Sequence, residues 1–159
     1  MAKNVSPSLT SDEAFRRAAA LCSTSEHCIS DITEKLQRWG VKDTLACSVV
    51  ERLLEERYID ERRYAFAFVS DKLRFSRWGK VKIRAALRLQ HIPEACISEA
   101  LKEVDAEEYR LILHEVLSGK AASLKDPRSY ASRTKLIRFA LQRGFEMDEV
   151  LKFVQDTEE

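Results

Sequence analysis

The apolar residues of this chain recur at intervals of three and four, the spacing that places side chains on one face of an α-helix. Ile32 and Leu36 are four apart, as are Ile83 and Leu87. No stretch alternates apolar and polar residues for long, and only four Gly and three Pro interrupt the sequence. The pattern therefore predicts an all-α protein of about nine helices.

Residues that can cap a first turn precede several of these segments. The predicted caps are Thr10, Asp43, Asp60, Asp105 and Asp126. Two of them, Thr10 and Asp105, have a Glu three residues later, which is the spacing of a capping box. Gly144 is predicted to end the helix that follows Asp126.

The apolar pattern occurs three times at a nearly constant period. The first copy contains Ile32, Leu36, Gly40, Val41, Ala46 and Val50. Equivalent positions follow 51 residues later at Ile83, Leu87, His91, Ile92, Ile97 and Leu101. After a further 53 residues come Leu136, Ala140, Gly144, Phe145, Val150 and Val154. This predicts three tandem three-helix, helix-turn-helix-like repeats in an elongated, curved array. The predicted divisions are a frayed N-terminus at 1–10 and repeats at 11–57, 58–104 and 105–159.

Charge is segregated although the net charge is only +1. Residues 57–88 contain ten basic and three acidic side chains, and residues 127–144 contain five basic and no acidic ones. Lys80, Arg84 and Arg88 share one predicted helix face, where like charges repel. Because these basic side chains have few acidic neighbours in the sequence, we expect an acidic partner, either protein or phosphate, and the alternative is a basic face that only meets solvent.

The sequence has no recognisable catalytic or cofactor site. His27, His91 and His114 fall on different segments, and the four glycines are isolated rather than grouped in a phosphate-binding loop. The cysteines lack metal-ligand spacing and are predicted to be small buried residues. We therefore predict a protein that is not an enzyme and that has neither cofactor nor metal. With no signal-length apolar run and no membrane span, it is expected in the cytoplasm.

This chain resembles the bacterial RecX regulatory proteins in the run YIDERRYA at residues 58–65 and at Phe68, Val69, Gly79, Lys82, Ile83 and Leu87. A second likeness, to the family's C-terminal pattern, lies at Leu136, Arg138, Phe139, Arg143, Gly144 and Phe145. The resemblance implies a modulator that binds the groove of the RecA recombinase filament on single-stranded DNA, and we expect a monomer. Such proteins limit filament growth, ATP hydrolysis, strand exchange and SOS induction. Action at filament ends and action within the filament both remain open.

The signature residues are expected to have structural roles. They are Tyr58, Ile59, Asp60, Tyr64, Ala65, Phe68 and Gly79. Two departures from the family pattern are Arg57 and His91, which stand where glycine is common. Both positions are predicted to need a left-handed backbone.

The residues predicted to contact the filament or its DNA are the basic ones without local acidic neighbours. They are Lys72, Arg74, Arg77, Lys80, Lys82, Arg84, Arg88, Arg133, Lys135, Arg138 and Arg143. Two alternatives remain: an autonomous DNA-binding protein, or a helical-repeat scaffold for another acidic partner. The second helices of the predicted pairs are all acidic, which disfavours their use as DNA-recognition helices.

Overall fold

The computed structural model describes residues 8–156, and this part of the chain forms nine α-helices and no strand. They are α1 (Ser11–Thr24), α2 (Ile29–Arg38), α3 (Asp43–Glu55), α4 (Glu61–Arg74), α5 (Lys80–Leu89), α6 (Glu94–Lys102), α7 (Ala106–Ala122), α8 (Tyr130–Gln142) and α9 (Met147–Asp156). The predicted all-α class is confirmed. None of these helices combines the length and apolar character needed to cross a membrane. Most of the predicted frayed N-terminus lies outside the described residues.

Three predicted helix starts are formed as expected. At one of them Asp105 caps α7 by accepting the N–H of Glu107 at 2.9 Å. The Thr10 hydroxyl accepts the N–H of Glu13, and the Glu13 carboxylate accepts the N–H of Thr10, both at 3.2 Å. This capping box satisfies two donors that a first turn leaves unpaired. Asp60 caps α4 by accepting the N–H of Arg63 at 2.9 Å.

Two other predicted starts were wrong in detail. Asp43 is the first residue of α3 rather than its cap, which is Lys42. An acidic side chain is favourable there because it faces the positive end of the helix dipole. The cap of α8 is Ser129, whose hydroxyl accepts the N–H of Ser132 at 3.2 Å. Asp126 instead opens a preceding turn, in which its carbonyl accepts the N–H of Ser129 at 3.2 Å.

The chain divides into two compact units. The first contains α1, α2, α3, the beginning of α4 and residues 90–92. Its three complete helices all contact one another. The core they enclose includes Ala14, Phe15, Ala18, Ile32, Leu36, Val49, Leu53 and Ile59. Burying a side chain of Leu or Ile size stabilises the fold by roughly 1.5–3 kcal/mol.

The second unit contains the rest of α4 and α5 through α9. Within it α7, α8 and α9 contact one another, and α5 contacts α6. Its largest fully buried side chains are Ile83, Leu87, Ile97, Leu117, Phe145 and Val150. The Phe145 ring lies against Tyr109, with ring centroids 5.5 Å apart.

The three apolar copies share a backbone feature. Gly40, His91 and Gly144, predicted to be equivalent, all have positive φ, at 78°, 58° and 93°. Arg57, also expected to be left-handed, has φ of 59°. The prediction for both non-glycine positions is therefore confirmed. Arg77 adopts φ of 57° as well, which the sequence did not indicate.

The turn before α5 makes close backbone contact with the turn between α8 and α9. Gly79 N–H donates to the carbonyl of Arg143 at 2.7 Å, and Val81 N–H donates to that of Gly144 at 2.9 Å. A methyl group on Gly79 would overlap the backbone of Gly144. Glycine is required here because only a residue without a side chain permits this approach.

Cysteine burial is uneven. Cys28 is buried, Cys22 and Cys96 are half-buried, and Cys47 is exposed. The prediction of buried cysteines was wrong for Cys47, because α3 turns Ala46 toward the core and the next residue is rotated by 100°. Within residues 8–156, no group of His, Cys, Asp or Glu is arranged to hold a metal ion.

Candidate partner-binding surface

Two of the predicted binding lysines lie against Trp78, in the turn between α4 and α5. The Nζ atoms of Lys72 and Lys82 are 4.7 and 4.5 Å from the Trp78 ring centroid. Lys72 also lies 5.5 Å from the ring centroid of Phe68. A cation near an aromatic face is attracted by the ring quadrupole. The half-buried Trp78 thus positions two ammonium groups without neutralising them.

The arginines at the end of α4 have acidic partners on α7. Arg74 donates from Nε and Nη2 to the two carboxylate oxygens of Glu108, at 2.7 and 3.3 Å. Arg77 forms an ion pair with Glu115. The expectation that these arginines lack partners was wrong, because the two acids come 34 and 38 residues later in the chain. Glu108, predicted to complete a capping box with Asp105, contacts Arg74 instead.

The basic stripe, which we define as Lys80, Arg84 and Arg88 on α5, is also partly neutralised. Arg84 and Arg88 both contact the carboxylate of Glu94, the first residue of α6. Arg88 binds it with two donors, Nε and Nη2, each at 3.0 Å. These hydrogen bonds from Arg88, followed by those from Arg84, hold the pKa of Glu94 below its usual value. The like-charge repulsion of the stripe is therefore relieved from within the chain.

Lys80 joins a small polar network at the start of α5. Its backbone N–H donates to the Tyr109 hydroxyl at 3.0 Å, and that hydroxyl donates to Glu146 at 2.9 Å. The Lys80 Nζ lies 4.9 Å from the centroid of the Tyr109 ring. Burial raises the pKa of Glu146, and the hydrogen bond from Tyr109 opposes that rise. The network fixes the backbone of the stripe's first residue.

The second basic block, residues 127–144, contains both exposed and half-buried basic side chains. Lys135 and Arg138 are exposed on α8. Arg133 is half-buried and interacts with another part of the protein. Arg143 is half-buried and donates from Nε to the carbonyl of Arg77 at 3.1 Å and from Nη2 to that of Ser76. Its predicted role in partner binding stays a prediction, and the edge of the guanidinium formed by Nε and Nη2 is engaged by backbone. Arg143 holds the turn after α4.

The signature residues lie mainly in the interior. Ile59 and Ala65 are fully buried and Tyr64 nearly so, whereas Phe68 is half-buried. Tyr58 meets Phe15 edge to face, with ring centroids 5.8 Å apart. Ile59 and the partly buried Tyr58 thus belong to the core of the first unit.

Sequence reasoning missed the acids that organise this surface: Glu94, Glu108, Glu115 and Glu146. One signal was available, since residues 94–126 contain eight acidic and four basic side chains directly after the basic block. An acidic segment after a basic one favours pairing between them. Which acid meets which base depended on the packing of α7 and α6, which the sequence pattern does not give.

Two exposed aromatic residues accompany the basic ones in the second unit. Phe75, after α4, is 83% exposed, and Tyr130, at the start of α8, is 86% exposed. Phe75 lies between Arg74 and Arg77 in sequence, and Tyr130 follows Arg128. Exposed rings among cations are a common feature of surfaces that bind other macromolecules.

The helices and the cations on α4 and α5 define a three-helix-repeat protein with a cationic surface. Residues 60–101 match the family model described as the second three-helix domain of RecX. The regulatory protein RecX of Pseudomonas putida strain GB-1 is 36% identical over 138 residues, covering 85% of each chain. The chain belongs to the RecX family of regulatory proteins.

Solved structures agree with this fold. The crystal structure of RecX from Lactobacillus salivarius superposes with a TM-score of 0.81 at 17% identity, covering 93% of this chain and 96% of that one. A second crystal structure of a regulatory protein RecX gives 0.83 at 20% identity, covering 92% and 73%. At these identities the likeness establishes the three-helix-repeat fold alone.

Proposed function

We propose that this chain binds the RecA recombinase filament assembled on single-stranded DNA and limits its extension, thereby slowing ATP hydrolysis and strand exchange. The proposal joins family membership to one structural observation. That observation is the set of cations on α4 and α5, held in place by Trp78, Tyr109 and acids of the same chain.

Held cations favour binding to a large acidic partner. A side chain whose rotamer is already restricted loses less entropy when a partner binds it. Lys72 and Lys82 keep their full charge against Trp78, since an aromatic ring holds an ammonium group without neutralising it. Clustered charge also increases the rate of association with an acidic surface.

The first experiment measures ATP hydrolysis by RecA on single-stranded DNA while this protein is added from far below to equal stoichiometry. Inhibition at substoichiometric amounts is expected, because a modulator of filament growth acts on many recombinase subunits per molecule. Hydrolysis that is unchanged at equal stoichiometry, with a protein shown to be helical, would refute the proposal and favour the scaffold alternative.

A variant that lacks the positive charges of the basic stripe tests whether this surface is needed for inhibition. It replaces the basic stripe by glutamine: Lys80→Gln, Arg84→Gln and Arg88→Gln. We expect about tenfold more protein to be needed for half inhibition. The matched control removes three exposed charges from the first unit: Arg16→Gln, Arg38→Gln and Lys42→Gln. Equal loss of inhibition in both variants would mean that net charge, and not this surface, matters.

Direct contact with single-stranded DNA is a second candidate, favoured by the exposure of Phe75 and Tyr130. Base stacking on an exposed ring contributes about 1–3 kcal/mol per base. The test compares binding of oligothymidine by the parent protein and by Phe75→Ser with Tyr130→Ser. Affinity that falls steeply with salt and drops in the double variant supports direct contact. Equal binding by the two proteins would exclude these rings as stacking platforms.

A further inference from the structure

A groove lies between α5 and α6 in the second unit. It is open to solvent and has a volume of about 620 Å³. Its apolar floor includes Val81, which is 56% exposed, together with Ala85 and Leu101. At this exposure Val81 lies outside the core that Ile83 and Leu87 of the same helix enter.

The rim of this groove is cationic. Lys80, Arg84, Arg88 and Lys102 line it, and the acid that lines it is Glu146. Glu146 is engaged by the Tyr109 hydroxyl at 2.9 Å. The groove thus combines an apolar floor with an excess of positive charge, the complement of a segment that mixes acidic and apolar side chains.

The contacts of Glu94 show that the arginines of the rim bind a carboxylate. Its carboxylate is bound by Arg88 through two donors at 3.0 Å and by Arg84 as well. Two parallel N–H donors on one guanidinium match the two oxygens of a carboxylate. Glu94 is half exposed, with 52% of its side-chain surface accessible, so an incoming carboxylate can reach the same arginines.

We propose that this groove binds an acidic, partly apolar peptide segment of the partner protein, and that Glu94 is an internal competitor for it. An apolar side chain of the segment lies on Val81 and Ala85, and its carboxylates replace Glu94 at Arg84 and Arg88. The inference rests on the proposed function, because it names the chemistry that the partner presents to this surface.

A peptide suits the groove better than a nucleic acid does. Its lining residues include no aromatic ring on which a base would stack, and its floor is aliphatic. Nucleic-acid grooves combine cations with stacking platforms. The exposed rings of this unit, Phe75 and Tyr130, are not among the residues that line it.

The experiment uses a fluorescein-labelled peptide of sequence EDLEDLEDLE and fluorescence anisotropy, with the whole chain as receptor. The variant Glu94→Gln frees two guanidiniums and is expected to bind about three- to tenfold more tightly than the parent. Its matched control is Glu108→Gln, which removes the same charge and frees Arg74 outside the groove. The control is expected to change affinity by less than about twofold.

The floor is tested separately. Val81→Ser is expected to weaken peptide binding by about three- to tenfold, because an apolar contact is lost. Leu89→Ser, an 81% exposed position on the same helix that does not line the groove, is expected to leave it unchanged. The neutral peptide QNLQNLQNLQ is expected to bind weakly or not at all.

Four outcomes would overturn the inference. The first is that neither the parent nor Glu94→Gln binds the acidic peptide, and the second is that Glu94→Gln and Glu108→Gln gain equally in affinity for it. The third is that oligothymidine displaces the peptide while Val81→Ser has no effect on peptide binding. The fourth is that Glu94→Gln self-associates in sedimentation, which would make a second copy of the chain the occupant.

The recombinase assay separates this failure from failure of the proposed function. Inhibition of RecA ATP hydrolysis that is unaffected by Val81→Ser and by excess acidic peptide would uphold the proposed function and refute the groove. Peptide binding with the expected pattern of variants, but no effect on RecA, would uphold the groove and refute the recombinase as its source.

Discussion

Substitutions at Arg143 distinguish most clearly between a structural role and a role in partner binding. Its guanidinium donates to the carbonyls of Arg77 and Ser76, which follow the last residue of α4. A hydrogen bond from a charged donor contributes about 1.5–3 kcal/mol, and partial exposure favours the lower end. Removing both in Arg143→Ala is therefore expected to lower the free energy of unfolding by about 2–4 kcal/mol.

The assay is denaturant unfolding followed by far-ultraviolet circular dichroism. Arg138→Ala, an exposed arginine on α8, is the control and is expected to change stability by less than about 0.5 kcal/mol. Arg143→Lys retains the charge but not the fork of donors, so it is expected to lose most of the same stability. If the only role of Arg143 were to bind the partner through its charge, Arg143→Lys would have the same free energy of unfolding as the parent protein. Equal unfolding free energies for Arg143→Ala and Arg138→Ala would refute the structural role.

Three further predictions concern stability measured in the same way. Gly79→Ala is expected to destabilise by about 2 kcal/mol or more, since its methyl group overlaps backbone, whereas Gly119→Ala, with open space inside α7, is expected to stabilise by about 0.5–1 kcal/mol. The opposite order would contradict the close approach. His91→Gly is expected to stabilise by about 1 kcal/mol, because glycine removes left-handed strain at φ of 58°; a loss of stability would mean that the imidazole makes a compensating contact. Glu146→Gln is expected to stabilise at neutral pH. The raised pKa of Glu146 means that its ionised form opposes folding, so the gain should shrink as the pH falls through that raised pKa and vanish below the ordinary value of 4.5. A gain independent of pH would contradict this reasoning.

Local features of the fold were predictable from the sequence. The helices follow from apolar spacing, and the capping box at Thr10 follows from one side chain three residues ahead of another. The left-handed positions at Arg57 and His91 followed from likeness to glycine positions in the family pattern and in the repeats. The start of α8 was misplaced because Asp126–Pro127 and Ser129 are both good opening signals, and only the turn geometry decides between them.

Partners distant in sequence were not predictable. Arg143 reaches carbonyls 66 and 67 residues earlier, and Arg74 reaches an acid 34 residues later. Charge counting recorded an excess of basic residues but not which of them the folded chain neutralises. It therefore grouped Lys72, which keeps its charge against Trp78, with Arg74, which is paired.

The difference between arginines paired within the chain and lysines held against Trp78 affects how the cationic surface binds a partner. An exposed ion pair contributes little to stability, because water and salt screen it and both side chains lose rotamer freedom. Replacing Glu94 or Glu108 by a partner's carboxylate therefore exchanges one contact for a similar one at little net change. Favourable binding energy must then come from what the internal pair lacks, namely the apolar contact on Val81 and the ammonium groups of Lys72 and Lys82 that lie against Trp78. For this reason the arginines are expected to determine which partner chemistry fits, and the lysines and the apolar floor how tightly it binds.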